Sequence, residues 1–186
     1  PAVWIARIRG IPSVVNYRGG EAETFLHRSG GVVLKTLRGA SVLAVPSRFL
    51  QHVFGRCGVP SEVVPNIVDT ARFRPADTMR PPRALRLVVA RNLEPIYDIA
   101  TALRAFALVL ENMPEARLIV AGSGPEREAL KALAADLRIA AAVEFCGRLD
   151  RDQMADRYRS ASVVINPSRI DNMPNSVLEA MASGAP

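Results

Sequence analysis

The pattern of apolar and polar positions divides residues 83–186 into alternating strands and helices. Short apolar runs predict strands at residues 85–90, 118–121, 143–145 and 162–166. Apolar residues at helical spacing predict the intervening helices, with stripes at Ile99, Leu103, Phe106, Leu110 and at Leu130, Leu133, Ala134, Leu137. Further helices are predicted near residues 153–159 and 177–181. This alternation predicts a parallel sheet that is covered on both faces.

The first 65 residues show the same pattern more weakly. Strands are predicted at residues 12–17, 41–45 and 62–64. Helices are predicted at residues 3–8, at 22–38 with a break near Gly30 and Gly31, and at 48–56 with Ser47 as the N-cap. A polar, proline-rich run then interrupts the pattern. We therefore expect two α/β domains, at residues 1–65 and 83–186, joined by a linker at residues 66–82.

The composition is that of a globular protein. About half of the 186 residues are apolar and 23% are charged, which argues against disorder. No apolar run approaches the roughly 20 residues of a membrane-spanning helix. Cys57 and Cys146 lack metal-ligand spacing, and we expect them to be buried free thiols of a cytoplasmic protein.

The positive charge is concentrated in the first domain. The net charge is +6, and residues 1–65 carry eight Lys and Arg against three Asp and Glu. A basic domain is compatible with anionic lipid or with a phosphorylated acceptor, and an ordinary solvated surface is the alternative. We expect no nucleic-acid partner, because no basic stripe with interleaved aromatic residues occurs.

The ends of the sequence favour an internal piece of a longer protein. Pro1 replaces an initiator Met, and Pro186 follows a predicted helix at the point where the next strand should begin. A parallel sheet that lacks the strand after its last crossover helix would leave a buried edge uncovered. We therefore expect both sheets to be incomplete and residues 1–186 alone to be inactive.

The most informative stretch is residues 160–186, which is predicted to form a strand, a loop and a helix. Ligands of open α/β sheets bind at the carboxyl ends of the strands, where helix N-termini favour anions. Two carboxylates, Asp171 and Glu179, flank this loop with seven residues between them. The stretch therefore predicts an anion-binding site at this edge of the sheet.

This stretch resembles the acidic-x7-acidic signature of GT-B glycosyltransferases of family 4, also called glycosyltransferase group 1. Residues 178–186 match the family pattern Leu-Glu-Ala-Met-Ala-x-Gly-x-Pro, whereas Asp171 replaces a Glu and Pro174 replaces a Gly. Residues 65–75 resemble the family's interdomain segment. The resemblance implies two Rossmann-like α/β domains with parallel sheets. It also implies retaining, metal-independent sugar transfer from a nucleotide-sugar donor, with no cofactor.

The resemblance assigns donor-binding roles at two strand ends. Arg91 corresponds to the family's diphosphate-binding arginine, although Ile96 and Tyr97 occupy the region of the usual Lys. The alternative for Arg91 is a surface ion pair with a neighbouring carboxylate, Glu94 or Asp98. Arg148 and Leu149 correspond to residues beside the nucleotide base, and a plain turn is the alternative. The Gly-x-Gly-Pro turn at residues 122–125 also matches the family, or is simply a tight turn.

The remaining assignments concern the sugar and the ribose. The resemblance implies catalytic roles for Asp171 and for Arg18, which replaces the family's His at a strand end. Glu179 would accept hydrogen bonds from both ribose hydroxyls, and the alternative is a capping box in which Glu179 folds back onto Ser176. The loop residues predicted to bind the nucleotide sugar are Asn172, Met173, Pro174, Asn175 and Ser176.

Two other functions remain open at this point. One is a sugar-nucleotide epimerase of the same fold, and the other is a non-catalytic module that binds a sugar nucleotide. The acceptor is not identified, and a membrane-associated glycolipid is one candidate. The resemblance implies a role in polysaccharide or glycolipid biosynthesis, in the cytoplasm or peripherally at the inner face of the membrane.

Overall fold

The computed structural model describes residues 2–76 and 84–186, and only the backbone of Ser29. Residues 77–82 of the predicted linker lie outside the described residues. Contacts divide the chain into two compact units. The first unit comprises Pro1–Ile67 and Ile170–Met173, and the second comprises Val68–Arg169 and Pro174–Pro186.

The first unit contains a three-stranded parallel sheet. Its strands are β1 (Val14–Asn16), β2 (Val42–Val45) and β3 (Glu62–Val63), in the order β1-β2-β3. Its helices are α1 (Ala2–Ile8), α2 (Ala22–Arg38) and α3 (Arg48–Arg56). Ser47 caps α3, because its Oγ accepts a hydrogen bond from the Leu50 N–H at 3.3 Å. The predicted cap is thereby confirmed.

The break predicted in α2 is wrong, because the helix is continuous across Gly30 and Gly31. A glycine in a helix interior costs about 0.5–1 kcal/mol relative to Ala. The helix buries Ala22, Leu26 and Leu37 in the core of the first unit. Burial of one leucine contributes about 1.5–3 kcal/mol, so packing offsets the weak local preference of the two glycines.

The second unit contains a four-stranded parallel sheet. Its strands are β4 (Arg86–Ala90), β5 (Arg117–Ala121), β6 (Val143–Gly147) and β7 (Val163–Val164), in the order β6-β5-β4-β7. Its helices are α4 (Ile99–Asn112), α5 (Arg127–Asp136), α6 (Arg151–Arg159) and α7 (Asn175–Ala182). The predicted alternation of strands and helices is thereby confirmed.

The sheet of the second unit is buried on both faces. Leu87 and Val89 of β4 pack in one apolar cluster, which also contains Leu118 and Val120 of β5. Val88 lies between Leu87 and Val89 in the sequence, and it packs in a second apolar cluster. Because successive strand residues point to opposite faces, the two clusters cover the two faces. This explains why the strands are continuous apolar runs.

The helices are short compared with the thickness of a bilayer. The helix α2 has 17 residues, and a membrane span needs about 20 predominantly apolar residues. Within residues 2–76 and 84–186, no helix combines the length and the apolar composition that a membrane crossing requires.

Candidate functional site

The carboxyl edge of the second unit's sheet carries several of the predicted site residues. Arg91 directly follows β4, Gly122 follows β5, and Arg148 and Leu149 follow β6. The four strands are parallel, so these strand ends lie at one edge of the sheet. The loop that follows β7 leads into α7. This edge is therefore where the second unit can bind a ligand.

Arg91 is oriented by residues at neighbouring strand ends. Its Nε donates a hydrogen bond to Asn166 Oδ1 at 3.1 Å, and its guanidinium carbon lies 5.3 Å from the centre of the Tyr97 ring. Ser168 Oγ donates to the same Asn166 oxygen at 2.6 Å. A role for Asn166 or Tyr97 in holding Arg91 was not predicted from the sequence. The available signal was the position of Asn166 at a strand end beside β4.

The two carboxylates considered as alternative partners of Arg91 have other hydrogen bonds. Arg169 Nε donates to Asp98 Oδ2 at 3.0 Å, and this bond holds the pKa of Asp98 below its ordinary value. Glu94 accepts a hydrogen bond from the Asn92 side chain at 3.4 Å. Both acids are therefore engaged by neighbours other than Arg91.

The Gly-x-Gly turn after β5 lies against the backbone that follows β4. Gly122 has a φ of +150°, and a Cβ at this position would lie 1.8 Å from the Arg91 carbonyl oxygen. A Cβ at Gly124 would lie 2.4 Å from the Leu93 carbonyl oxygen. Close packing under Arg91 therefore accounts for both glycines.

The helix α7 begins at Asn175, with Pro174 at the N-cap position and no side-chain cap. The capping-box alternative is wrong, because Ser176 and Glu179 both lie inside the helix. Pro174 has a φ of −68° and accepts hydrogen bonds from the N–H groups of Val177 and Leu178 through its carbonyl. It therefore begins the helix two positions earlier than a Ser176 cap would. The first N–H groups of such a helix have no intrahelical partner.

Glu179 lies one turn into α7 and is half-buried. Burial raises the pKa of its carboxyl group, and the Arg151 guanidinium opposes this shift. An ionised carboxylate in this position is therefore in need of a hydrogen-bonding partner.

Tyr158 of α6 links Arg91 and Glu179 electrostatically. Its side chain is 1% exposed, and its hydroxyl has no hydrogen-bond partner among the described residues. Burial raises the pKa of the phenol, the Glu179 carboxylate raises it further, and the Arg91 guanidinium lowers it. The pKa of this buried phenol therefore responds to both predicted donor-binding charges, although burial has the largest effect. Tyr158 was not predicted from the sequence, because one tyrosine in an amphipathic helix carries no specific signal.

The other predicted residues belong to the first unit, and Arg18 lies after β1. Arg18 Nη2 donates a hydrogen bond to Asn66 Oδ1 at 2.7 Å. The segment Ile170–Met173 carries Asp171, Asn172 and Met173. Asn172 Nδ2 donates to the Gly19 carbonyl at 2.6 Å, and Asp171 Oδ1 accepts a hydrogen bond from the Asn172 backbone N–H at 2.8 Å.

The described residues of the second unit line cavities that were compared with the predicted site. One has a volume of about 630 Å³, and its polar lining includes Arg72, Asp152 and Arg159 but none of the predicted site residues. Another, about 430 Å³, runs along α6 and includes Leu149. Within the described parts of the chain, no three residues of the types His, Cys, Asp and Glu cluster as metal ligands.

Curated proteins with related sequences span more than this chain. The chain is 38% identical over 157 residues to a D-inositol 3-phosphate glycosyltransferase of Acidothermus cellulolyticus, and the match covers 75% of the chain and 35% of that protein. It is 26% identical over 209 residues to an alpha-monoglucosyldiacylglycerol synthase of Streptococcus pneumoniae, with 99% and 47% covered. The chain thus spans about a third to a half of the length of these two relatives.

A solved structure shares the fold of the whole chain. Anabaena Alr3699/HepE, crystallised in complex with UDP-glucose, matches with a TM-score of 0.84 and 17% identity, over 100% of this chain and 55% of that one. This likeness confirms the predicted α/β fold of GT-B type with parallel sheets. The family model described as "Glycosyl transferases group 1" matches residues 74–186. The chain therefore belongs to the group 1 glycosyltransferase family.

Proposed function

We propose that the protein carrying this chain transfers a sugar from a nucleotide-sugar donor to an acceptor, with retention of configuration and without a metal ion. The main support is that the family model matches residues 74–186, the part of the chain in which Arg91 follows β4 and Glu179 lies in α7. One cation and one carboxylate suit the two ends of a ribose diphosphate.

Arg91 is proposed to bind the diphosphate of the donor. The planar fork of a guanidinium matches phosphate oxygens in a bidentate manner, and Asn166 and Tyr97 hold this fork at the sheet edge. The N–H groups at the start of α7 add a partial positive charge, from Asn175 and Ser176. Together these groups would stabilise the negative charge that develops on the departing diphosphate.

Glu179 is proposed to accept hydrogen bonds from the ribose hydroxyls. Because burial raises the pKa of its carboxyl group, two hydroxyl donors would lower the cost of keeping the carboxylate ionised. Arg148 and Leu149 are proposed to lie beside the base, and residues 172–176 to contact the sugar and the phosphates. Asp171 and Arg18 are proposed to act near the transferred sugar.

UDP-sugars are the donor class that we propose, since the solved structure of Alr3699/HepE contains UDP-glucose. For the acceptor, the names of the relatives refer to an inositol phosphate and to a diacylglycerol. We propose an acceptor that is phosphorylated or embedded in a membrane, because residues 1–65 carry eight Lys and Arg against three Asp and Glu. Stronger binding to vesicles of anionic lipid than of neutral lipid would support the membrane arm of this proposal.

The substitution Glu179→Gln tests the assignment in the protein that carries this chain. We expect the affinity for a nucleoside diphosphate to fall by about 1.5–3 kcal/mol, because the ribose loses its charged acceptor. The burial-raised pKa of Glu179 lies above its ordinary value of 4.5, so the ionised carboxylate costs stability as the pH rises past that value. The free energy of unfolding of the Gln variant should therefore equal or exceed that of the wild type at pH 7.

The control for this test is Glu111→Gln, at an exposed position near the end of α4. We expect it to leave both ligand affinity and stability unchanged. Calorimetric titration with a nucleoside diphosphate provides the measurement. Unchanged affinity in Glu179→Gln would show that the carboxylate does not contact the donor.

One observation favours a second function, a module that binds a sugar nucleotide without catalysis. Tyr97 lies against Arg91 in the region where the family usually has a Lys, so one expected cation is replaced by an aromatic ring. Incubation with a labelled UDP-sugar separates the possibilities. Transfer or hydrolysis of the sugar indicates a glycosyltransferase, a changed sugar still attached to UDP indicates an epimerase, and binding without reaction indicates the module.

A further inference from the structure

Asn66 uses both ends of its side-chain amide within the first unit. Its Oδ1 accepts a hydrogen bond from Arg18 Nη2 at 2.7 Å, and its Nδ2 donates to the Met173 carbonyl at 2.7 Å. Its backbone N–H also donates to Met173 Sδ at 3.2 Å. One half-buried residue just after β3 therefore joins the turn after β1 to the segment Ile170–Met173.

The same segment touches the turn after β1 at two further points. Asn172 Nδ2 donates to the Gly19 carbonyl at 2.6 Å. Gly20 lies so close to Ile170 that an added Cβ would come within 3.1 Å of Ile170 Cγ2. The residues predicted to act on the transferred sugar, Arg18 and Asp171, are thus carried by two backbone segments in direct contact.

The segment does not satisfy all of its own polar groups. Asn172 Oδ1 is buried and has no hydrogen-bond partner among the described residues. A buried acceptor without a partner costs about 1–3 kcal/mol. The position of the segment therefore depends on its other contacts, of which Asn66 supplies one through its side-chain amide and one through its backbone N–H.

Asparagine suits this junction because one planar group carries both an acceptor and a donor. Aspartate would keep the acceptor for Arg18 but would lose the donor to the Met173 carbonyl. Alanine would lose both. The two substitutions therefore separate the contact with Arg18 from the contact with the segment.

Building on the proposed function, we propose that Asn66 is a positioning residue for sugar transfer. It holds Arg18 and the segment that carries Asp171 in one fixed arrangement, and it does not itself touch the donor. A displacement of about 1 Å in a reacting group can reduce a rate by as much as 100-fold. Loss of this junction should therefore lower kcat more than it changes the KM for the donor.

The kinetic test compares Asn66→Ala and Asn66→Asp with Gln51→Ala. Gln51 is a matched control in the same unit, since its Nε2 donates to the Ser61 carbonyl at 2.9 Å, away from Arg18 and Met173. We expect kcat to fall at least tenfold in Asn66→Ala, with the donor KM changed by less than about twofold. We expect Gln51→Ala to lose comparable stability with kcat unchanged. A kcat in Asn66→Ala equal to that of the wild type would overturn the proposal.

A second measurement does not depend on activity. Backbone-amide hydrogen exchange should become faster in peptides covering residues 18–20 and 170–173 in Asn66→Ala. In Asn66→Asp it should become faster only in the peptide covering residues 170–173, because the contact with Arg18 is kept. Unchanged exchange in both variants would overturn the proposal. If the wild type binds the donor but neither transfers nor hydrolyses its sugar, the proposed function fails, and the exchange result alone decides whether Asn66 holds the two segments.

Discussion

The two units have the same kind of sheet but bury it differently. In the second unit, Val88 and Val89 of β4 are both fully buried, one on each face of the sheet. In the first unit, Val15 of β1 packs in the core while its neighbour Val14 is 69% exposed. The sheet of the second unit is therefore enclosed on both faces, whereas β1 is buried on one face only.

This difference explains which part of the sequence is easier to interpret. Strands buried on both faces must be apolar throughout, and helices must cover them on both sides. This requirement produces the strong alternation of strands and helices after residue 83. The family match, at residues 74–186, covers the same part of the chain. The first unit has fewer buried positions, so its sequence is less constrained and its pattern is weaker.

The largest expected effect is that of Gly122→Ala in the second unit. Its Cβ would lie 1.8 Å from the Arg91 carbonyl oxygen, at a φ of +150°. Backbone strain costs about 1–3 kcal/mol and overpacking about 1–3 kcal/mol more, so several kcal/mol of unfolding free energy should be lost. The matched substitution in the first unit, Gly31→Ala, meets open space within a helix and should add about 0.5–1 kcal/mol. Urea denaturation measures the free energy of unfolding of both variants. A similar loss in the two variants would contradict the close packing inferred at Gly122.

A pair of leucine truncations tests the difference in burial directly. Leu103 of α4 is 0% exposed, and Leu103→Ala should cost about 2–5 kcal/mol of unfolding free energy. Leu34 of α2 is only partly buried against the core of the first unit, so Leu34→Ala should cost about half as much or less. Chemical denaturation measures both changes. Equal losses would show that the first unit is packed as tightly as the second.

Arg91→Ala tests whether diphosphate recognition belongs to the second unit. We expect binding of a nucleoside diphosphate to weaken by about 1.5–3 kcal/mol, because a charge-assisted hydrogen bond is lost, while binding of the free nucleoside changes little. The control is Arg104→Ala, at an exposed position on α4. Calorimetric titration measures each affinity. If Arg18→Ala in the first unit weakened diphosphate binding equally, this division of roles between the units would be wrong.

The smallest expected effect concerns the two free cysteines. Buried thiols were predicted from the sequence, whereas both cysteines are half-buried in the structure. Burial raises the pKa of Cys146 from 9.0 to about 11, helped by Glu144, which accepts a hydrogen bond from its thiol at 3.2 Å. The thiolate is the reactive form, so labelling of Cys146 by a disulfide reagent should stay slow until the pH approaches 11.

The same shift predicts a pH dependence of stability. Because the folded-state pKa of Cys146 is raised, its contribution to stability is complete below about pH 9 and is lost as the pH rises towards 11. Glu144→Gln should lower this pKa and make labelling faster at pH 9, with Cys57 of the first unit as the internal reference. Identification of the labelled peptides by mass spectrometry measures the effect. Fast labelling of wild-type Cys146 at pH 8 would contradict the assignment.

Most of the strands and helices, and the family, could be predicted from local sequence patterns. The apolar runs and stripes located the strands and helices of the second unit, because burial on two faces leaves a strong pattern. Ser47 was identified as a cap because capping is a local interaction, made here with Leu50 three residues away. The family signature at residues 171–186 could also be recognised, because its residues are close in sequence and have a fixed spacing.

Interactions between residues that are distant in the sequence could not be predicted and are seen only in the folded chain. The tertiary structure joined Asn66 to Met173, 107 positions apart, and grouped Ile170–Met173 with the first unit. It kept α2 continuous across Gly30 and Gly31, because core packing outweighed local propensity. It also began α7 at Asn175, although Ser176 and Glu179 fit a capping box. Local patterns report the preferences of neighbouring residues, whereas these outcomes depend on contacts that form only when the chain folds.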